Sequence, residues 1–135
     1  MPSIFTRIVN GEIPCYKVAE DDHFLAFLDI NPLAKGHTLV IPKRETDYIF
    51  GIEEKEYADL FLFARKVALA VEKVVPCKRI GIAVLGLEVA HAHIHLVPIN
   101  TVYDIDFSKP KLALSKEEFS ELVEKISAEF TGDSQ

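Results

Sequence analysis

One long helix, predicted at residues 53–75, most constrains the fold of this chain. Its apolar side chains recur three and four positions apart, the spacing of one helix face. They are Tyr57, Leu60, Phe61, Ala64, Val67, Ala68, Val71 and Val75. Pro76 follows and ends the helix, because proline lacks a backbone N–H. A helix with one apolar stripe needs a second layer to cover it, so the rest of the chain must supply that layer.

Three apolar residues of the same helix lie off the stripe: Leu62, Phe63 and Leu69. They give the helix more apolar surface than one sheet face would cover. A dimer interface would bury them, and so would a core that wraps further round the helix. The sequence favours neither explanation over the other.

The other elements predict an α+β domain on an antiparallel sheet of about five strands. Two strands are expected as a hairpin within residues 15–32, and three more at residues 36–42, 79–87 and 90–99. A C-terminal helix is predicted at about residues 115–130. Ser115 and Glu118 form a capping box at its start, and residues 131–135 are expected to fray.

Composition limits the possible functions. The 135 residues suit a single domain, 1–135, and are 49% hydrophobic with a net charge of −6. An acidic chain lacks the basic face that a nucleic acid polymer requires, and no apolar run is long enough for a membrane span. Cys15 and Cys77 are far apart and are expected to be free thiols. With no signal peptide pattern at the start of the sequence, we expect a cytoplasmic protein.

Residues 91–98, HAHIHLVP, place three histidines at alternating positions. Alternate side chains of a strand share one face, so His91, His93 and His95 are predicted to form a row. The residues between them are expected to face a core and to anchor the row on a rigid element. These are Ala92, Ile94 and Leu96.

Three interpretations of this row remain open from the residues alone. A solvated polar stripe is one, although strict alternation of an uncommon residue disfavours it. Two imidazoles of an HxH strand can also bind zinc. In the third, one imidazole attacks phosphorus while its neighbours donate hydrogen bonds or stay protonated.

The sequence resembles the histidine triad (HIT) family, whose signature alternates histidine with apolar residues as in HAHIHLV. Three further segments, IFTRIVNGEIP, EDDHFLAFLDINPLAKGHTLVIPKR and LEVAHAHIHLVP, occur in the family's order. The likeness covers about residues 3–99, and residues beyond Pro98 form an extension. It implies an antiparallel sheet with a nucleotide in a cleft beside the triad strand, and a homodimer.

The resemblance also implies an activity that needs no cofactor. The expected substrate is a purine nucleotide of the AMP type, joined through its α-phosphate to an amine or to another phosphate. A nucleoside phosphoramidate or an aminoacyl-adenylate-like compound is the expected type. Hydrolysis would pass through a nucleotidyl-histidine. The alternatives are a dinucleoside polyphosphate hydrolase and a nucleotide-binding protein with vestigial catalysis, the latter because residues 84–91 depart from the family's phosphate loop.

Individual roles follow from the same resemblance. His93 is the expected nucleophile, while His91 and His95 orient it and contact the phosphate or leaving group. His37 matches a fourth histidine near the phosphate, and Asp29 matches the carboxylate that binds the ribose hydroxyls.

The resemblance further implies an apolar wall around the base, and Glu88 matches an acidic residue three positions before the triad. The expected wall consists of Ile4, Phe5, Ile8, Ile13, Phe27 and Ile30. Some family members bind a structural zinc, but Ser3, Thr6 and Glu45 stand at three of the ligand positions here. No metal site is therefore expected.

Overall fold

Five strands form one antiparallel sheet in the order β1-β2-β3-β5-β4. The computed structural model describes residues 2–133. The strands are β1 (Lys17–Glu20), β2 (Phe24–Leu28), β3 (Thr38–Pro42), β4 (Arg79–Ala83) and β5 (Ile94–Ile99), and the α-helices are α1 (Ile4–Val9), α2 (Glu54–Val74) and α3 (Lys116–Asp133). The predicted α+β class with an antiparallel sheet is confirmed. None of the helices described in residues 2–133 qualifies as a membrane span.

Helix α2 lies on one face of the sheet, as its apolar stripe predicts. The Glu53 side chain accepts hydrogen bonds from the backbone N–H groups of Lys55 and Glu56, which caps the helix start. The helix packs against β2, β3, β4 and β5, and also against α3. We call the resulting apolar cluster the helix-side core; its fully buried members include Leu28, Val40, Leu60, Val67, Ala70, Val71, Ile94, Leu96 and Ile126.

The structure buries one of the three apolar residues that lie outside the helix stripe. Phe63 is buried in the helix-side core, so part of the core does wrap further round α2. Leu62 and Leu69 remain 58% and 44% exposed on this chain.

Helix α3 closes the helix-side core beside β1. The predicted capping box is present: the Ser115 hydroxyl accepts from Glu118 N–H, and the Glu118 carboxylate accepts from Ser115 N–H. The helix continues to Asp133, so the expected fraying of residues 131–133 is wrong, while residues 134 and 135 lie outside the described part of the chain.

The opposite face of the sheet carries a smaller apolar cluster under α1. We call it the open-side cluster; it consists of Phe5, Leu25, Phe27, Leu39 and Ile41. Ser3 caps α1, since its hydroxyl accepts a hydrogen bond from Thr6 N–H. The helix ends at Asn10 and Gly11, and Gly11 has a φ of 79°, which favours glycine.

The last strand is shorter than predicted. It begins at Ile94 instead of residue 90, so His91 and His93 precede it. Pairing between β3 and β5 stops at Val40 and Ile94. Pro42, near the end of β3, has no N–H to extend the ladder, and Ala92 N–H donates to the Thr46 carbonyl instead. Strand β4 also ends early, at Ala83, so a ten-residue connection, 84–93, replaces the predicted short turn.

Candidate active site

Four histidines converge on the open side of the sheet. His95 lies on β5, His91 and His93 precede it, and His37 precedes β3. All four are nearly buried, with exposed fractions of 0% for His91, 1% for His37, 7% for His93 and 9% for His95. The residues that alternate with the triad, Ala92, Ile94 and Leu96, belong to the helix-side core as predicted. A solvated histidine stripe is therefore excluded.

The His93 ring has a defined tautomer. Its Nδ1 atom lies 2.7 Å from the His91 carbonyl oxygen. A carbonyl only accepts hydrogen bonds, so Nδ1 must carry the proton. In the neutral ring Nε2 then holds the lone pair, which is the atom that a nucleophile needs. Phe5 packs edge-on against this ring, with the centroids 4.9 Å apart.

His91 uses both ring nitrogens inside the protein. Nε2 lies 2.7 Å from the Pro42 carbonyl oxygen and therefore donates. Nδ1 lies 2.8 Å from the Ser3 hydroxyl and accepts. The fully buried ring thus has no free nitrogen for a substrate, and its backbone carbonyl is the group that contacts His93.

His37 and His95 form a directed pair. Leu33 N–H donates to His37 Nδ1 at 3.0 Å, so the proton of the neutral His37 ring is on Nε2. This Nε2 lies 3.0 Å from His95 Nδ1 and donates to it. His95 Nε2 is then the protonated nitrogen. The pair therefore presents an N–H of His95 beside the lone pair of His93, whose ring centroid is 5.0 Å away.

Burial makes these histidines hard to protonate. It lowers the pKa of His37 to about 3, with a further contribution from the neighbouring His95 ring. It lowers the pKa of His95 to about 4 and also lowers the pKa of His91. In the empty site these three rings are neutral near pH 7, so they act through neutral N–H groups and not as cations.

Asp29 lies directly after β2, beside His37. Its backbone N–H donates to the His37 carbonyl, and its Oδ1 accepts from Asn31 N–H. Oδ2 is 3.6 Å from His37 Nε2, but that proton is directed at His95 and the ring is neutral, so no ion pair forms near pH 7. Burial raises the pKa of Asp29, although the Asn31 hydrogen bond opposes the shift. Within the described residues, Asp29 Oδ2 accepts no hydrogen bond comparable to the one that Oδ1 accepts from Asn31 N–H.

Asp29, His37 and His95 could hold a metal ion, because one ligand atom of each lies within 4.8 Å of the others. The hydrogen bonds favour a different use. A metal would need the lone pair of His37 Nε2, which would shift the proton to Nδ1 and break the bond from Leu33 N–H. Within residues 2–133, the three triad histidines do not form such a group together.

The structure brings together only some of the residues that were predicted to form the apolar wall around the base. Phe5 and Phe27 are buried in the open-side cluster with ring centroids 5.7 Å apart, and Ile8 packs against that cluster. Phe5 links the cluster to the triad through its contact with His93. An apolar surface thus adjoins the His93 ring.

The remaining predicted contacts lie outside that cluster. Ile4 and Ile30 are 49% and 63% exposed, and Ile13 is half-buried. Glu88 is exposed in the connection between β4 and β5.

Sequence reasoning missed Phe107, which packs edge-on against His95 at a centroid distance of 4.7 Å. The segment after β5 returns across the site, where Leu112 N–H donates to the Pro32 carbonyl. Lys111 lies on this segment, and its charge lowers the pKa of His37. No periodic pattern marks Phe107, whose immediate neighbours in sequence, Asp106 and Ser108, are polar.

The known proteins that are similar to this chain belong to one family. The HIT domain model matches residues 10–102. An uncharacterized HIT-like protein of Borreliella burgdorferi is 39% identical over 132 residues, covering 92% of this chain and 95% of that protein. The adenosine 5′-monophosphoramidase of Schizosaccharomyces pombe is 37% identical over 131 residues, covering 95% and 98%. A crystal structure of a HIT-like protein involved in cell-cycle regulation from Bartonella henselae, with an unknown ligand, matches with a TM-score of 0.82 at 30% identity over 94% of this chain and 95% of that one. The chain therefore belongs to the HIT family of histidine triad nucleotide-binding proteins.

Proposed function

We propose that this protein hydrolyses purine nucleoside phosphoramidates or aminoacyl-adenylate-type compounds through a nucleotidyl intermediate on His93. The observation that carries the proposal is the hydrogen bond from His93 Nδ1 to the His91 carbonyl. It holds the neutral ring in the tautomer with a lone pair on Nε2. A lone pair on a buried, oriented nitrogen is what nucleophilic attack on phosphorus requires.

The reaction has two steps. His93 Nε2 forms a bond to the α-phosphorus while the bond from phosphorus to the leaving atom breaks, a nitrogen in a phosphoramidate and a carboxyl oxygen in an aminoacyl-adenylate. The His91 carbonyl stabilises the positive charge that the ring acquires, because Nδ1–H still donates to it. Water then attacks phosphorus, the bond to His93 breaks, and the nucleoside monophosphate and free imidazole are regenerated.

His95 is the proposed proton carrier for the leaving group. In the empty site its pKa is about 4, but a bound phosphoryl anion would favour the protonated ring. His95 would give this proton to the leaving nitrogen of a phosphoramidate in the first step and take one from water in the second. His37 holds the neutral His95 ring in this orientation through the 3.0 Å hydrogen bond. When His95 is protonated this bond reverses: His95 Nδ1–H donates to His37 Nε2, and the His37 proton is on Nδ1 at the expense of the bond from Leu33 N–H.

Nucleotide binding is assigned to the groups around the triad. Asp29 offers a carboxylate oxygen for the ribose hydroxyls beside His37. The base would lie against the apolar side of Phe5 and Phe27. The relative named adenosine 5′-monophosphoramidase, 37% identical over 131 residues, supports adenosine phosphoramidate as the first compound to test.

The test is steady-state hydrolysis of adenosine phosphoramidate, measured as release of AMP. We expect His93→Ala to lower kcat by at least about 10³-fold, because it removes the nucleophile. His23→Ala is the matched control: it removes a histidine that is exposed and lies outside the site. Full activity of His93→Ala would contradict the proposal.

A chelator separates the imidazole mechanism from a metal-dependent one. Activity is expected to be unchanged in EDTA, since the imidazole side chains supply the nucleophile and the proton carrier without a metal. Loss of activity in EDTA and its return with zinc would instead favour a metal held by Asp29, His37 and His95.

We also propose a homodimer joined along β4. In the described residues β1 and β4 are both edge strands; α3 packs against β1, whereas β4 pairs only with β5 and its other edge is unpaired. Unpaired edges attract a second strand unless they are protected, and Ile82 on β4 is 55% exposed. Light scattering should give about twice the 15.2 kDa chain mass, and Ile82→Lys should shift the protein toward the monomer. A wild-type monomer would contradict this assignment.

A further inference from the structure

A polar cluster joins the N-terminus of α1 to the loop after β3, outside the nucleotide site. Glu45 accepts two hydrogen bonds through one oxygen, Oε1: from Ser3 N–H at 2.7 Å and from the Thr6 hydroxyl at 2.6 Å. The Ser3 hydroxyl lies 2.8 Å from His91 Nδ1. We call Ser3, Thr6 and Glu45 the α1 cluster.

Each hydroxyl proton in the cluster has one use. The Thr6 hydroxyl donates to the carboxylate at 2.6 Å, so its longer 3.3 Å contact with His91 Nδ1 is not a donation. The Ser3 hydroxyl accepts from Thr6 N–H and has its own proton for His91 Nδ1. Since His91 Nε2 donates to the Pro42 carbonyl, every polar group of the His91 ring has a partner.

The α1 cluster can affect the proposed nucleophile, His93, in two ways. It fixes the His91 ring and thus the backbone carbonyl that accepts from His93 Nδ1. It also fixes the position of α1. Phe5 on this helix packs against both rings, with its centroid 5.8 Å from that of His91 and 4.9 Å from that of His93. The hydrogen bonds of Glu45 go to Ser3 and Thr6 of α1 and its cap, and Glu45 is not a member of the open-side cluster.

We propose that Ser3, Thr6 and Glu45 are positioning residues that hold the His91 carbonyl and Phe5 against His93, and so set the tautomer and orientation of the nucleophile. The proposal deepens the proposed function and rests on it. Hydrogen bonds from Ser3 and Thr6 keep the pKa of Glu45 at about 2, so the acceptor stays ionised at every pH at which the enzyme would be assayed.

The chain offers matched variants for a test. Glu45→Leu removes the acceptor, and Ser3→Ala removes the donor to His91. Glu45→Gln keeps one oxygen at the end of the side chain, and both donors meet at a single oxygen, so it should restore most of the function. Glu12→Leu is the control: it removes another exposed carboxylate near α1, one that is 3.9 Å from Arg7.

Two readouts are measured on folded protein, checked by circular dichroism. The first is kcat and KM with adenosine phosphoramidate. We expect kcat to fall about tenfold in Glu45→Leu and Ser3→Ala with KM within about twofold, because orientation is lost while the nucleotide contacts remain. The second is the ¹⁵N spectrum of the His93 ring without substrate, where both variants should show mixed tautomers and the wild type one.

The outcomes separate this inference from the proposed function. Wild-type kcat and a single His93 tautomer in Ser3→Ala and Glu45→Leu would overturn the positioning role, and so would an equal loss in Glu12→Leu. If the wild type hydrolyses no phosphoramidate, the proposed function fails. The ring spectra then decide the positioning role alone: mixed tautomers in the variants support it, and one fixed tautomer contradicts it.

Discussion

The two faces of the sheet have different roles, although the same strands form both faces. On the helix side, Ile94 and Leu96 are fully buried in an apolar core under α2. On the open side, His93 and His95 lie between a five-residue apolar cluster and Phe107. Strand alternation sends neighbouring residues to opposite faces. One short segment can therefore anchor the fold with every second residue and present imidazoles with the others.

The comparison teaches why nearly buried histidines can be retained here. A buried polar group costs free energy unless it is hydrogen-bonded. His91 has a partner for both ring nitrogens, and His37 has one for each as well. The helix side stabilises the fold through apolar burial. On the open side, the hydrogen bonds fix the tautomers of the buried histidines.

The largest expected effect on stability comes from the helix side. Leu96→Ala should lower the free energy of unfolding by about 3 kcal/mol, because a fully buried leucine leaves a cavity. The folded fraction should keep its kcat within about threefold, since Leu96 points away from the triad. Urea unfolding and kinetics on the same sample measure both. A large loss of kcat without a loss of stability would contradict the assignment of stability to the helix side and of catalysis to the open side.

The next effect is on the open side. His37→Phe removes the donor that fixes His95, so kcat should fall about 10- to 100-fold. His37→Gln provides an amide N–H near the same place and should recover part of the loss. Equal kcat in the wild type and His37→Phe would show that the His37–His95 pair does not orient the site.

Lowering the pH should lower the free energy of unfolding through the buried histidines of the open side. The folded state keeps His95 and His37 neutral down to about pH 4 and 3, whereas the unfolded chain protonates them below about pH 6.5. The unfolded state therefore binds more protons in that window, and stability falls as the pH drops through it. Above it both states are neutral and these rings have no effect.

Urea unfolding at about pH 7.5 and about pH 5 should differ by on the order of 4 kcal/mol, with roughly 2 kcal/mol from each ring. Asp29, whose pKa is raised by burial, works in the opposite direction at lower pH. The His37→Phe variant should show a smaller difference than the wild type. Identical stability of the wild type at both pH values would contradict the neutral, buried state of the rings.

The smallest effect is expected at the edge of the helix-side core. Ser115→Ala removes the cap of α3 and should cost about 1 kcal/mol of unfolding free energy without changing kcat. The Ser115→Thr variant keeps the hydroxyl and is the control. A change in kcat would mean that α3 also supports the open side.

Local patterns allowed much of the fold to be predicted. The stripe of α2 and the capping box of α3 depend only on residues a few positions apart, so their ends were predicted to within three residues. The start of β5 was not, because it depends on Pro42 in another strand. The position of Phe107 depends on the return of the segment after β5.

The site could be predicted in its residues but not in its proton positions. The alternation of HAHIHLVP indicated a row of imidazoles, yet the tautomers depend on the carbonyls of His91 and Pro42 and on Leu33 N–H. These are backbone groups, one of which, the Pro42 carbonyl, is 49 residues away from the ring that it contacts, and no side-chain pattern reveals them. The neutral state of His37 and His95 likewise follows from burial that only the folded chain provides.

The most direct test of the central claim is the mass of the intact protein, quenched within seconds of mixing with adenosine phosphoramidate. The wild type should show a transient adduct of one adenylyl group, and His93→Ala should show none. Such a result would establish covalent catalysis at His93. An adduct of equal size in both proteins, or turnover by the wild type with no adduct at any quench time, would contradict it.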